Sequence, residues 1–312
     1  MNDLNKLINR AREVSWQKFG KQIAFYHPGM FRYNGEWGKY PAISITGKYC
    51  ELRCNHCKSK LLESMIFATT PEELIRKCIG LKEGHNIGCL ITGGSLKNGA
   101  LPWDDFIPAI KIVKETTNLF ISIHSGIVDS QTAKKMKDAG IDQALIDVIG
   151  DDETFRKVYH ANFGIRKIEE SLRNLKNAGI PVVPHIVAGL DYGRIKGEYN
   201  AIEIIKRYDP EVVVIVSLMP LSGTPMEDTL PPSPQDVAKI IATARIKMPD
   251  VQISLGCARE RSDFNIDVLA VDCGVNRMAI PSDEAIKRAK EYGLNIKWKK
   301  SCCSVPISSE EV

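Results

Sequence analysis

Short apolar runs alternate with longer amphipathic stretches along most of the chain. The runs are "PAISIT" (41–46), "GCLITGG" (88–94), "LFISIHSG" (119–126), "QALIDVIG" (143–150), "VVPHIVAGL" (182–190), "VVVIVSLMP" (212–220), "VQISLGC" (251–257) and "RMAIPS" (277–282). They are near-continuous rather than cleanly alternating, the pattern of parallel strands covered on their outer face. Polar helical segments such as "TTPEELIRKCIGLKEG" and "DDFIPAIKIVKETT" lie between them. The former opens with Thr70 as N-cap, Pro71 at the first helical position and acids in the first turn. Gly140 and Gly179, in "DAGI" and "NAGI", stop two later helices before the next strand. Eight strand–helix units over about 240 residues match an α/β chain folded as a (β/α)8 TIM-type barrel, which typically takes about 250. A doubly wound open sheet is the alternative. The expected organisation is a helical N-terminal extension (1–40), the barrel (41–292) and a C-terminal tail (293–312).

Composition narrows the function classes. The 312 residues are 44% hydrophobic and 26% charged, as in a globular protein. A net charge of +4 from 42 basic and 38 acidic residues gives no reason to expect nucleic acid. The opening "MNDLNKLINRAREVSWQKFG" reads as an amphipathic helix without a signal-peptide core, and no later run reaches membrane-spanning length. A cytoplasmic protein with no membrane partner is expected. Nine cysteines in a reducing compartment then argue for metal or redox chemistry over disulfides.

In a barrel of this kind, chemistry sits at the C-terminal ends of the strands and in the loops that follow. The loop after the first predicted strand, "TGKYCELRCNHCKSK", holds Cys50, Cys54 and Cys57. Structural zinc asks for four ligands, usually as two pairs. Cys54 and Cys57 make one pair, Cys50 is a third thiol, and His56 adjoins Cys57 so that the two side chains diverge. A cubane iron–sulfur cluster held by three thiolates fits the count and leaves one iron open. Buried thiols or a zinc site are the alternatives.

CxxxCxxC in that position resembles the radical S-adenosylmethionine enzymes. The resemblance implies that the open iron chelates S-adenosylmethionine, whose reductive cleavage gives a 5′-deoxyadenosyl radical that abstracts hydrogen from an unactivated carbon. "ITGGS" (91–95) resembles the family's Gly-Gly-Glu motif, which places Gly93 and Gly94 at the methionine moiety and puts Ser95 where the glutamate is usual. His56 stands before the third cysteine, near the adenine in the family. Asp147 in "LIDVIG" resembles a ribose contact; the other reading is a cap for the "DDETF" helix. "HIVAGL" resembles an adenine-binding run with Ile186 as the apolar contact, and "MPLSGTPMED" (219–228) resembles the loop after strand six of biotin synthase-like members. His124 and His185 project from strand ends, where hydrogen-bonded core histidines are commoner than catalytic bases.

Further cysteines recur where a second cluster would sit. Cys257 ends the seventh strand, and Cys302 and Cys303 lie in the tail, which would have to fold across the mouth to join it. Adjacent cysteines form disulfides poorly. Ser301 or Ser304 could give an oxygen ligand, or one iron could remain open, and Cys273 is a reserve. Cys78, Cys89 and Cys273 otherwise read as small buried residues. The chain resembles a subunit of the two-component lipoyl synthases in "FYHPGM", "KSKLLESM", "PHIVAGLDYGRIKGEYNA", "SLGCARER" and "SCCS". That resemblance implies sulfur insertion into an octanoyl chain, with an auxiliary 4Fe–4S cluster as donor. It also implies as partners an octanoylated lipoyl carrier domain or glycine-cleavage H protein, a second radical subunit, and an electron donor such as ferredoxin. Another biotin synthase-like radical enzyme, acting by rearrangement or methylthiolation, and a non-enzymatic iron–sulfur or zinc barrel are the alternatives.

Overall fold

The computed structural model describes residues 3–30, 32–33 and 35–306. The chain opens with helix α1 (Asp3–Phe19) and strand β1 (Gln22–Tyr26). The eight predicted runs then form β2 (Ala42–Ser44), β3 (Gly88–Thr92), β4 (Phe120–His124), β5 (Gln143–Asp147), β6 (Val182–Ala188), β7 (Val212–Ser217), β8 (Gln252–Leu255) and β9 (Arg277–Ala279). A last strand, β10 (Asn295–Lys299), follows.

These strands and a short Ile66–Phe67 segment make one curled parallel sheet, in which β2 to β9 lie side by side in chain order. Strand β1 adds beyond β9, β10 beyond β1, and Ile66–Phe67 beyond β2. The chain just before β2 ties the two flanks of the curl together. The Lys39 amide donates to the Lys300 carbonyl at 2.6 Å, while the Lys39 carbonyl accepts from the Ile87 amide at 3.1 Å.

Helices α2 (Pro71–Glu83), α3 (Trp103–Thr116), α4 (Ser130–Asp138), α5 (Gly164–Asn177), α6 (Glu198–Lys206), α7 (Pro234–Lys247), α8 (Asn265–Asp272) and α9 (Asp283–Glu291) accompany the strands. The predicted caps form: Thr70 Oγ1 accepts from the Glu73 amide at 3.2 Å, and the Glu73 carboxylate reaches back to the Thr69 amide at 2.7 Å. Gly140 and Gly179 follow α4 and α5 at φ of 83° and 76°, where a side chain would be strained.

Strand alternation divides the core into layers. In β1, Ile23 and Phe25 face the helices, while Ala24 and Tyr26 face the lumen. Tyr26, Leu145, Val183, Val212, Val214 and Ala279 pack in the lumen, with Cys303 among them.

Two expectations need correction. The N-terminal extension is not only helical, because "QIAFY" joins the sheet as β1. Five residues with apolar groups on both faces carry no periodicity that marks a strand in sequence. The tail likewise gains β10, whose alternation of Ile296 and Trp298 with lysines is that of an edge strand. Helix α1 packs on α7, and Arg12 clamps it by donating to the Asp272 carbonyl (3.0 Å) and the Tyr292 hydroxyl (3.1 Å). No described helix is long and apolar enough to cross a membrane.

Candidate active site

The cysteine loop leaves β2 through a tight turn in which Ser44 Oγ donates to the Gly47 carbonyl at 2.7 Å. Further on, the Cys54 carbonyl accepts from the amides of both Cys57 (3.1 Å) and Lys58 (2.8 Å). Arg53, Lys58 and Ser59 adopt φ of 42°, 46° and 66°, a left-handed region that non-glycine residues occupy at a cost. Bonds from outside the loop hold that conformation. The Asn55 amide donates to the Val158 carbonyl (2.8 Å), and Asn55 Nδ2 to the Lys157 carbonyl (3.0 Å) and Tyr192 hydroxyl (2.8 Å). The result is a rigid presentation of Cys54, buried, with Cys50 and Cys57 half-buried.

Thiol chemistry follows from that packing. The Cys57 thiol is pushed down, first by the hydrogen bond from Cys54 and further by His56, against the opposing effect of burial. Cys54 is pushed up by the same hydrogen bond and by burial. One proton serves two sulfurs, so the pair readily yields thiolate, the form that binds metal.

The end of β3 abuts this loop. A Cβ on Gly94 would lie 1.9 Å from the Tyr49 carbonyl oxygen and 2.5 Å from Cys50 Cβ, and one on Gly93 would lie 3.1 Å from Thr46 Oγ1. The Ser95 carbonyl accepts from the Glu51 amide at 2.9 Å and lies 3.8 Å from Cys50 Sγ. Gly93, Gly94 and Ser95 therefore sit against the cysteines. The need for glycine at 94 is set first by the loop itself.

Asp147, at the end of β5, lies 3.5 Å from His124 Nε2, both side chains about a third exposed. Burial opposes ionisation of Asp147, but the charge and hydrogen bond of His124 outweigh it and hold the carboxyl at about 2. Burial likewise opposes His124, and Asp147 raises it nonetheless. His185 is pushed down to about 4 by burial and by His124, whose ring is 5.9 Å away. Capping of the "DDETF" turn falls to Asp151, which accepts from the Thr154 amide at 2.7 Å, and Asp147 is left for the lumen.

His56 lies 5.5 Å ring to ring from Tyr159. Its ring bears on the adjacent Cys57 thiol rather than diverging from it, yet the buried Nδ1 makes no hydrogen bond of normal geometry among the described residues. An orphaned buried nitrogen beside three thiols and a glycine-lined edge fits a polar ligand that supplies the missing bond. Tyr159 ends the π-helical turn Phe155–Tyr159, a feature frequent at functional sites that no apolar period announces in sequence.

The tail enters the lumen. Arg277 Nη1 donates to the carbonyls of Cys303 (3.1 Å) and Val305 (2.7 Å), and Gln143 Nε2 donates to Ser304 Oγ (3.3 Å). Ser304 Oγ in turn lies 3.2 Å from Cys302 Sγ. The Cys302 thiol is pushed down by hydrogen bonds from Cys303 and Ser304, while Cys303 is pushed up. A cavity of about 240 Å³ joins both sets of groups: Cys257, Cys302 and Cys303 line it together with His56, His124, Asp147 and His185. Its remaining wall is mostly apolar, including Leu61, Val187, Val214, Val216, Leu218 and Met219, with Tyr159 and Ser217 as the polar exceptions.

Among the described residues, no three His, Cys, Asp or Glu side chains converge as ligands of one metal ion would. A cubane asks for something different, three thiolates on three separate irons. Each triplet, Cys50 with Cys54 and Cys57 and Cys257 with Cys302 and Cys303, consists of free thiols, three in number.

Other residues fall elsewhere. Ile186 faces the helix layer at 1% exposure, opposite to His185 and Val187, and borders a small crevice with Gly150 and Leu190 instead of the lumen. Strand alternation forbids His185 and Ile186 from sharing a face. Cys273 lies 3.5 Å from the Ala238 carbonyl beneath the helices, so it is no reserve ligand. Cys78 and Cys89 are buried core residues.

The profile of the Radical SAM superfamily matches residues 44–194, and that of the Biotin and Thiamin Synthesis associated domain matches 215–295. Biotin synthase from Prochlorococcus marinus subsp. pastoris is 26% identical over 242 residues, 75% of this chain and 71% of that protein. Biotin synthase from Leptothrix cholodnii is 29% identical over 153 residues, 48% of this chain and 44% of that protein. Among solved structures, methylornithine synthase superposes with a TM-score of 0.65 at 21% identity, covering 94% of this chain and 89% of that one. The FeFe-hydrogenase maturase HydG from Carboxydothermus hydrogenoformans gives 0.66 at 16%, covering 95% and 72%. At such identities the two structures establish the fold alone.

Proposed function

We propose, from the premise that this chain belongs to the radical S-adenosylmethionine superfamily and is biotin synthase-like, that it inserts sulfur into an octanoyl chain borne by a lipoyl carrier domain. Its cofactors are a 4Fe–4S cluster and S-adenosylmethionine, which when bound supply a radical able to take hydrogen from an unactivated carbon. Cys50, Cys54 and Cys57 would hold the cluster, while His56, Asp147 and the Gly93–Ser95 backbone would hold the methionine derivative. Asp147, kept ionised by His124, offers a carboxylate to sugar hydroxyls.

The observation that carries the reading is the shared cavity. It sets the second thiol triplet, Cys257, Cys302 and Cys303, in the same cavity as His56 and Asp147. An auxiliary cluster on that triplet is a substrate, consumed as it yields sulfur. The apolar wall suits a saturated chain, since each buried methylene contributes about 0.8 kcal/mol. The partners in this reading are an octanoylated lipoyl carrier domain or glycine-cleavage H protein, a second radical subunit sharing the two insertions, and a ferredoxin-type donor.

Relatives named biotin synthase favour a second reading, in which the same chemistry acts on the sulfur-free precursor of biotin. The test offers octanoylated carrier peptide and that precursor separately to the anaerobically reconstituted chain, with and without a candidate partner subunit. Thiolated peptide supports the first reading. Thiolated biotin precursor with untouched peptide replaces it by the second.

A further inference from the structure

We propose that His185, through Nε2, is the fourth protein ligand of the auxiliary cluster held by Cys257, Cys302 and Cys303. This rests on the auxiliary-cluster reading above and goes beyond it by completing the donor set.

Position comes first. His185 stands on the lumen face of β6 and lines the same cavity as all three cysteines. Its partner in the sheet register is Val214, which packs with Cys303 in the lumen. The imidazole therefore opens onto the cavity that the tail cysteines line.

The ring is also held in one orientation. His185 Nδ1 lies 3.0 Å from the Val183 carbonyl. A carbonyl can only accept, so Nδ1 carries the hydrogen and Nε2 presents its lone pair. Nε2 makes no hydrogen bond among the described residues. A metal-binding histidine is commonly fixed in this way, one nitrogen donating to a backbone carbonyl and the other free for the metal.

Several of the competing donors are already committed, and Ser254 Oγ, buried beside Cys303 without a geometric hydrogen-bond partner among the described residues, carries no nitrogen and is told apart by the test below. Ser304 Oγ is engaged with Cys302 Sγ and accepts from Gln143, and Ser301 Oγ donates to the Cys302 carbonyl at 3.4 Å. His124 turns Nε2 toward Asp147, which leaves only its Nδ1, so His124→Gln is the control variant below. Cys273 is sealed in the helix layer. Mixed thiolate–imidazole ligation is within iron–sulfur chemistry, and exchanging an anionic donor for a neutral one raises the reduction potential.

The test uses the full chain with Cys50→Ala, Cys54→Ala and Cys57→Ala combined, so that only the auxiliary site can hold iron, reconstituted without S-adenosylmethionine. Protein is made with ¹⁴N- or ¹⁵N-histidine, and the reduced cluster is examined by pulsed electron paramagnetic resonance. About four irons per chain are expected, together with a directly coordinated nitrogen whose coupling changes with the histidine isotope. His185→Gln should abolish that coupling and His124→Gln should keep it, with circular dichroism confirming that each variant folds. A cluster of about four irons with no histidine-nitrogen coupling, or coupling that survives His185→Gln, overturns the ligand assignment alone. No iron in the triple variant overturns the auxiliary-cluster reading and this inference with it. If His185→Gln fails to fold, the isotope comparison in protein that keeps His185 still decides whether a histidine nitrogen binds the cluster.

Discussion

The Gly94 amide donates to Thr46 Oγ1 at 2.7 Å, and Thr46 Oγ1 donates onward to the Tyr49 carbonyl at 2.9 Å. The end of β3 is thereby pinned to the backbone that presents Cys50. Because a Cβ at 94 would collide with Tyr49 and Cys50, Gly94→Ala should displace a cluster ligand. The expected outcome is loss of at least half the iron of the radical-site cluster, measured by iron titration on a chain with Cys303→Ala. Full iron with weakened S-adenosylmethionine binding would assign the space to the methionine moiety instead.

Arg277 secures the tail inside the lumen through the carbonyls of Cys303 and Val305. Arg277→Met removes both donors and leaves two buried carbonyls unpaired, at roughly 1–3 kcal/mol each. The tail should then leave the lumen. Iron content should fall from about eight to about four per chain, and limited proteolysis should cut after residue 300. Retention of all the iron would show that the cysteines hold without this anchor.

A buried ion pair lies two residues beyond Cys257. Arg259, fully buried, meets both carboxylate oxygens of Asp267 at 2.6 and 2.9 Å and donates to the Gly256 carbonyl at 2.5 Å. Asp267→Ala strands a buried guanidinium, which costs about 3–5 kcal/mol. Urea unfolding of the metal-free protein should show that loss, with a larger effect than any single exposed ion pair such as Lys111 with Glu115.

The Asp147–His124 pair gives a pH signature in the metal-free protein. Asp147 is depressed to about 2 from 3.8, so its stabilisation is present above the ordinary carboxylate value and lost as pH falls towards 2. His124 is raised above 6.5, so its share is present below that value and lost as pH rises through the shifted one. The stability difference between wild type and Asp147→Asn should therefore be largest between about pH 4 and 6.5 and shrink on both sides. A flat difference from pH 3 to 9 would show that the two groups are not coupled.

Much of this was legible in sequence, for reasons visible in particular residues. The eight apolar runs name their strands because parallel strands buried on both faces leave no polar alternation to confuse them. Thr70, Gly140 and Gly179 announce helix ends through local backbone chemistry. Strand β1 was hidden, since "QIAFY" is short and its partners lie more than 250 residues away. Thiol spacing identified the Cys50–Cys57 loop but could not show that Gly94 serves Cys50, a contact between two loops. Ile186 was misplaced by resemblance although strand parity pointed the other way. The meeting of Cys257 with Cys302 and Cys303 depended on where the tail goes, and that is decided by Arg277 and Gln143 at strand starts with no motif of their own.

The central claim is that the tail triplet holds the sulfur that reaches the product. The most direct measurement loads the auxiliary site with ³⁴S-labelled sulfide, supplies unlabelled sulfide nowhere else, and follows one turnover on octanoylated carrier peptide by mass spectrometry. Wild type should transfer about one or two labelled sulfurs per chain and then stop, as a cluster held by thiolates is spent. Cys303→Ala should still consume S-adenosylmethionine while giving no thiolated peptide. Thiolated product from Cys303→Ala at the wild-type level would contradict the account.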